Sequence, residues 1–155
     1  MTELTAQQVM AWLQAVKDPE IPVISIQDLG VLQDVMVEDG RIIVHIIPTY
    51  SGCPAMYAIQ DDIRQTLANH GQHQVQIELL NSPAWNTDMI SQKGRAAMQL
   101  YGIAPPVSSD QQAIACPQCG SQQTTCISQF GSTACKALYR CESCLEPFDY
   151  FKCHA

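Results

Sequence analysis

The sequence predicts an α+β fold in two parts: a small helix-on-sheet domain, then a smaller β-rich module held by a metal ion. Three observations carry this expectation. The hydrophobic pattern over the first eighty residues switches from helix to hairpin to helix to strand, and a Pro- and Ser-rich stretch later interrupts it. Seven of the eight cysteines then fall beyond residue 115, four of them in two Cys-x-x-Cys pairs.

Thr5 opens a Thr-x-x-Gln capping pattern with Gln8, and Val9, Leu13 and Val16 recur at helical spacing, which predicts an amphipathic helix over 5–17. Pro19 ends it. Asp18-Pro19-Glu20-Ile21-Pro22 reads as an extended loop, because each proline lacks a donor and disfavours helix in the residue before it. From Leu29 onward, Val31, Val35 and Val37 share one face of a strand. Asp39-Gly40 is a hairpin turn, and residues 41–49 return as the partner strand.

Pro48 closes that second strand, and Ser51-Gly52-Cys53-Pro54 turns the chain into a helix whose Ile59, Ile63 and Leu67 lie on one face, with Gly71 as the stop. A third strand over 73–80 alternates Val75, Ile77 and Leu79 with polar neighbours. The sum is a three-stranded sheet with helices covering one face. Residues 81–90 read as irregular around Pro83 and Trp85, and Ser91 caps a short helix running to Tyr101. Pro105-Pro106 and Ser108-Ser109 mark a linker over 105–113, which separates a domain at 1–104 from a module at 114–155.

At 155 residues the chain holds one small domain and a minidomain, not two full-sized cores. The net charge of −7, with only 8 Lys and Arg, argues against nucleic acid and against an anionic membrane surface, since both are bound through basic side chains. No apolar run is long enough to span a bilayer, and the N-terminus lacks the basic and apolar regions of a signal peptide, so a cytoplasmic location is expected.

In a reducing compartment, clustered cysteines read as metal ligands rather than disulfides. Cys116-Pro117-Gln118-Cys119-Gly120 and Cys141-Glu142-Ser143-Cys144 form two knuckles separated by 21 residues. Each knuckle grips one side of a tetrahedron, so Cys116, Cys119, Cys141 and Cys144 predict a zinc ribbon. A complete shell of four thiolates leaves no position for water, so the zinc is structural. Cys126, Cys135 and Cys153 read as half-buried small apolar residues, the alternative being a second, redox-active or iron site; Cys135 and Cys153 are the candidates for additional metal ligands, and Cys153, beside His154, could replace a knuckle ligand.

Cys53 lies at the predicted junction of strand and helix, with Pro54 at the first helical position. A helix N-terminus favours thiolate over thiol, so Cys53 is the candidate functional thiol. Asp18 and Glu20 read as ordinary solvated charges, and His45 and His73 as structural residues.

Four segments then carry a likeness. Asp18-Pro19-Glu20-Ile21-Pro22-Val23, Asp28-Leu29-Gly30, Thr49-Tyr50-Ser51-Gly52-Cys53-Pro54 and Pro83-Ala84-Trp85 resemble, in order, the SufT-like domain of iron-sulfur cluster assembly factors, over roughly residues 5–104. The stretches Phe130-Gly131-Ser132-Thr133-Ala134-Cys135-Lys136-Ala137-Leu138-Tyr139-Arg140-Cys141 and Glu146-Pro147-Phe148-Asp149-Tyr150-Phe151-Lys152-Cys153 resemble a narrower family, PaaD, whose members are subunits of the ring 1,2-phenylacetyl-CoA epoxidase.

The resemblance implies a non-catalytic accessory role in phenylacetate degradation, in which Cys53, supported by Asp18, Glu20 and Thr49, holds iron or an iron-sulfur cluster in transit. It implies other epoxidase components as partners, the iron-sulfur reductase above all, and it allows a homodimer. The residues agree that this is not the oxygenase: a diiron carboxylate site needs Glu and Glu-x-x-His on four long helices, and this chain has neither. A docking subunit that carries only structural zinc is the competing reading.

Overall fold

The computed structural model describes residues 3–49, 54–106, 113–131 and 136–151. It is a mixed α+β structure in two compact units, Met1–Ser91 and Gln92–Ala155.

In the first unit, α1 (Ala6–Leu13) begins in the expected capping box: Thr5 Oγ1 accepts from Gln8 N, and Gln8 Oε1 accepts from Thr5 N. The loop that follows is not extended. Lys17 and Ser25 bridge its two ends, Asp18 N donates to Ile24 O at 3.0 Å, and Ile21 and Ile24 are buried. Two apolar side chains at the right spacing therefore fold the Pro-rich segment back into the core, and burial overrides the local preference for extension. Next comes α2 (Ile26–Leu29), which periodicity could not reveal at four residues. Its ends are fixed locally, by the Ser25 side chain accepting from Asp28 N and by Gly30 in the left-handed region at φ +86°.

The hairpin β1 (Leu32–Glu38) and β2 (Arg41–Ile46) pairs antiparallel, with Val35 opposite Val44 and Val37 opposite Ile42. After α3 (Ala55–Asn69), β3 (Val75–Leu79) pairs parallel to β2, so the sheet order is β1-β2-β3 and α3 is the crossover. Ile42, Val44 and Ile46 are buried, as are Val9 and Leu13 of α1 and Ile59, Ile63 and Leu67 of α3. The apolar stripes read from the sequence thus supply this core. The rings of Trp12 and His70 stack at 4.2 Å, joining α1 to the end of α3.

Residues 81–91 are tied down from the α2 side. Trp85 Nε1 donates to Leu29 O at 2.9 Å, Ser91 N donates to Asp28 O at 2.8 Å, and Ser91 Oγ donates to Asp28 Oδ1 at 2.9 Å. Met89, in a 3-10 turn over Thr87–Met89, covers Gly30.

The second unit holds α4 (Gln92–Tyr101), β4 (Ile103–Ala104), β5 (Thr124–Ser128), β6 (Lys136–Cys141) and β7 (Pro147–Phe151), in a four-stranded sheet of order β4-β7-β6-β5. Here the division at Ser91/Gln92 differs from the one read at 104–105. The reason is that β4 pairs parallel to β7, Ile103 with Asp149 and Ala104 with Tyr150, and α4 packs on β4. A two-residue strand leaves no periodic signal. Ala104, Cys116, Cys141 and Phe148 form a buried cluster of this unit, with Ile114, Tyr139 and Tyr150 packed against it, and Met98, Ile103, Ala137 and Phe151 are buried as well.

A methyl group at Gly30 would meet Met89 Cβ at 2.6 Å and Met89 O at 2.8 Å, and φ there is +86°. Gly30→Ala should therefore destabilise the first unit by on the order of 2–4 kcal/mol, combining left-handed strain with overpacking. Urea unfolding followed by the fluorescence of Trp12 and Trp85 reads this directly.

Candidate metal centre and the Asp18 loop

The two knuckles are built alike. In the first, Gly120 N donates to Cys116 O at 2.9 Å; in the second, Leu145 N donates to Cys141 O at 3.0 Å. Both closing residues are left-handed, Gly120 at φ +79° and Leu145 at φ +68°. Backbone N–H groups turn inward to sulfur: Gln118 N lies 3.4 Å from Cys116 Sγ, and Ser143 N and Cys144 N lie 3.4 and 3.3 Å from Cys141 Sγ. Ser121 and Ser143 join the knuckles through a 2.8 Å hydroxyl contact.

This geometry brings all four sequence-predicted ligands together. The sulfurs of Cys116, Cys119, Cys141 and Cys144 lie within 4.8 Å of one another, with Cys116–Cys144 at 3.7 Å and Cys119–Cys141 at 3.6 Å. A tetrahedron with zinc–sulfur bonds of about 2.3 Å has edges of about 3.8 Å. The donor set and spacing are therefore consistent with zinc, which four thiolates would hold as a closed structural site.

The thiols are electrostatically unequal. The backbone N–H of Cys144 outweighs desolvation at Cys141 and, with Ser143 N and the adjoining thiols, lowers its pKa to about 6. At Cys144, which is exposed as a residue, the backbone N–H of Glu146 acts downward, but partial desolvation of the sulfur and the neighbouring thiols Cys141, Cys116 and Cys119 prevail and push the pKa up to about 12. Of these two thiols Cys141 is thus the readier to ionise, and a metal must displace the proton of Cys144.

Among the other candidates, Cys126 is half-buried on β5 opposite Tyr139, as its bland reading expects. Cys53, Cys135 and Cys153 lie outside the described residues. Asp18 departs from the expected solvated charge, being only 7% exposed. Its Oδ1 accepts from Glu20 N at 2.8 Å and Ile21 N at 2.9 Å, so the carboxylate organises the turn that carries Glu20. The signal for this was present in the sequence: an aspartate before Pro-x-Ile can accept from the amides two and three residues on. Asp18 also lines a cleft of about 390 Å³ walled by Lys17, Pro22 and the Asp62, Gln65, Thr66 and Asn69 side of α3. Thr49 is half-buried beyond the end of β2. His45 pairs with Glu78 at 2.8 Å across β2 and β3, a structural role.

The purified chain should hold one zinc, which Cys141→Ser removes, and a strong chelator should abolish the order of the second unit, seen as loss of the amide signals of β6 and β7. Zinc uptake at neutral pH should release protons, since the neighbouring thiols hold the Cys144 proton in place without metal, and acid should release the metal as protons compete for the four sulfurs. Calorimetry in buffers of differing ionisation enthalpy measures the proton release, and a chromogenic chelator the loss of metal.

Comparison with known proteins bears on both units. Residues 6–79 match the family described as iron-sulfur cluster assembly protein, and residues 104–152 match the PaaD zinc beta ribbon domain. The chain is 46% identical over 151 residues to a putative 1,2-phenylacetyl-CoA epoxidase subunit of Escherichia coli, covering 94% of this chain and 92% of that one. It is 37% identical over 91 residues to an Fe-S protein maturation auxiliary factor of Porphyromonas gingivalis, covering 57% of this chain and 86% of that one. A solved DUF59 domain from Bacillus anthracis has the fold of the first unit, with a TM-score of 0.56 at 24% identity over 60% of this chain and 90% of that one. With a relative matched almost end to end, this chain belongs to the PaaD family of 1,2-phenylacetyl-CoA epoxidase subunits.

Proposed function

We propose that this chain is a non-catalytic, cytoplasmic accessory protein of phenylacetate degradation that matures an iron or iron-sulfur centre in the phenylacetyl-CoA epoxidase system, with the iron-sulfur reductase as its favoured client. The observation that carries this reading is the joining of two likenesses in one chain: an iron-sulfur cluster assembly match at 6–79 and a near full-length match to a putative epoxidase subunit. The likeness to an Fe-S maturation auxiliary factor supports the same reading.

Cys53 is the thiol assigned to cargo. It precedes α3 by two positions, and the Pro54 side chain caps none of the amides that open that helix, which favours thiolate there. Iron in transit binds soft sulfur well, and a single protein thiolate leaves other coordination positions for the client's ligands. Asp18, Glu20 and Thr49 are the polar groups we assign to support it, Asp18 by ordering its own loop. The ribbon, held by zinc, serves as a docking module.

A second reading, a docking subunit with zinc alone, is favoured by the apolar side chains the ribbon unit exposes, Leu100 at 90%, Phe130 at 67% and Leu145 at 58%. Metal analysis separates the two. Iron, zinc and acid-labile sulfide per chain, measured after anaerobic purification and reconstitution, should show zinc in both wild type and Cys53→Ser but iron or sulfide only in the wild type. Zinc alone in the wild type would overturn carriage and leave docking.

Asp18 allows a finer test. Asp18→Ala leaves two amides without their acceptor and should cost about 2–4 kcal/mol of stability. Asp18→Asn keeps an acceptor oxygen and should fold, so a drop in its iron content at near-native stability would show that the charge itself supports cargo.

A further inference from the structure

The four sulfurs of the ribbon differ in access. Cys116 and Cys141, the first cysteine of each knuckle, are buried, and their sulfurs accept the inward N–H groups of Gln118, Ser143 and Cys144. Cys119 and Cys144, the second of each, are exposed. The ligand shell therefore has a covered side and an open edge. Oxidation and alkylation of cysteine follow thiolate character and exposure together. Metal ligation supplies thiolate character to all four, so exposure decides among them.

We propose that the open edge formed by Cys119 and Cys144 is a modification site for peroxides and soft electrophiles, through which the ribbon's metal is released. In the peroxide reaction one exposed thiolate attacks a peroxide oxygen; an S–O bond forms, the O–O bond breaks, and the departing hydroxide takes a proton to become water. The second exposed thiolate attacks the resulting sulfenic sulfur; the S–S bond forms and the S–O bond breaks, giving a second water after protonation. Two electrons pass from the two sulfurs to the peroxide, and two protons are consumed. The sulfurs start within 4.8 Å of each other, so a modest side-chain movement brings them to the disulfide length of about 2.05 Å. An alkylating maleimide instead forms one S–C bond at its alkene, whose other carbon takes a proton. The disulfide leaves only Cys116 and Cys141 as ligands, and a single alkylation leaves three thiolates, so either reaction leaves an incomplete shell.

The consequence reaches the fold. Cys116 and Cys141 belong to a buried cluster of the second unit, so loss of the metal they hold loosens Phe148 and Ala104 around them. The second unit is then ordered under reducing conditions and disordered after peroxide, while the first unit is untouched.

The test uses the full zinc-loaded chain. It is treated with substoichiometric N-ethylmaleimide, digested and read cysteine by cysteine by mass spectrometry, while a chromogenic chelator reports free zinc. Within the ribbon, Cys119 and Cys144 should be labelled several-fold ahead of Cys116 and Cys141, with zinc appearing in step. Hydrogen peroxide should give a Cys119–Cys144 disulfide with zinc release and loss of ribbon amide signals, reversed by a thiol reductant and zinc. Equal labelling of the four, earlier labelling of the buried pair, a disulfide joining other cysteines, zinc release that does not follow labelling, or a chain that takes up no zinc would each overturn the proposal. None of these readouts depends on iron at Cys53, so maturation and edge reactivity stand or fall separately.

Discussion

Four sulfur atoms within 4.8 Å of one another are the constraint on which the C-terminal unit depends. Two of the four residues in the buried cluster that surrounds them, beside Phe148 and Ala104, are cysteines of the site. In a unit this small apolar burial offsets the conformational entropy only narrowly, and cross-linking by a metal is the general remedy in modules of this size. The knuckles also set the strands. Cys141 ends β6 and Cys144 lies in the turn before β7, so closing the cluster aligns the β6–β7 ladder from Arg140–Pro147 outward. Tyr139 then falls between Phe148 and Tyr150, with ring centroids at 5.9 and 5.4 Å.

The first unit depends on ordinary apolar burial, but its irregular segments are held by a few polar contacts at fixed points. Asp28 is one such point: its side chain accepts from Ser25 and Ser91 while its carbonyl accepts from Ser91 N. With Trp85 bonded to Leu29 O and Gly30 packed under Met89, the segment 81–91 is fastened to α2 although it has little secondary structure of its own. Such contacts satisfy backbone groups that a covered loop would otherwise leave without partners. Asp18 does the same for the turn at 18–24. The segments Asp18–Val23, Asp28–Gly30 and Pro83–Trp85 singled out in the sequence therefore include the polar and glycine positions that hold the irregular parts of this unit in place.

Legibility in the sequence followed the range of the interactions. The hairpin, the α3 stripe and the capping box at Thr5 were readable because each is fixed by residues a few positions apart. The four ligands were readable because Cys-x-x-Cys is itself a local geometry, even though 21 residues separate the pairs. What escaped was set by contacts across the chain. Burial of Ile21 and Ile24 closed a loop that prolines alone would extend, and β4 became a strand only because β7 offered it an edge. The short α2 was hidden for another reason: its stability comes from its two caps and its packing rather than from any repeat. At the candidate sites, the donor set was legible and its asymmetry was not, because exposure of Cys119 and burial of Cys116 depend on how the ribbon packs.

On the proposed reading the chain has two thiol sites of complementary chemistry, which bears on how one small protein could carry cargo and remain folded. A complete tetrathiolate holds its metal by filling every position, so nothing binds there unless a ligand is displaced, and displacement undoes the unit it supports. A carrier needs the opposite: few protein ligands, open positions, and a scaffold whose stability is indifferent to whether cargo is present. The first unit fits the last requirement, since the core seen among its described residues is built of Val, Ile and Leu side chains from α1, α3 and the sheet rather than of ligating groups. A thiol in the segment between β2 and α3 could then gain and lose iron without a folding cost. A zinc site made of cysteines in the same chain would, by contrast, compete for iron only by coming apart. Under that reading, separating the two tasks between an apolar core and a ribbon built around its thiols would let each set of thiols keep the coordination number its task requires.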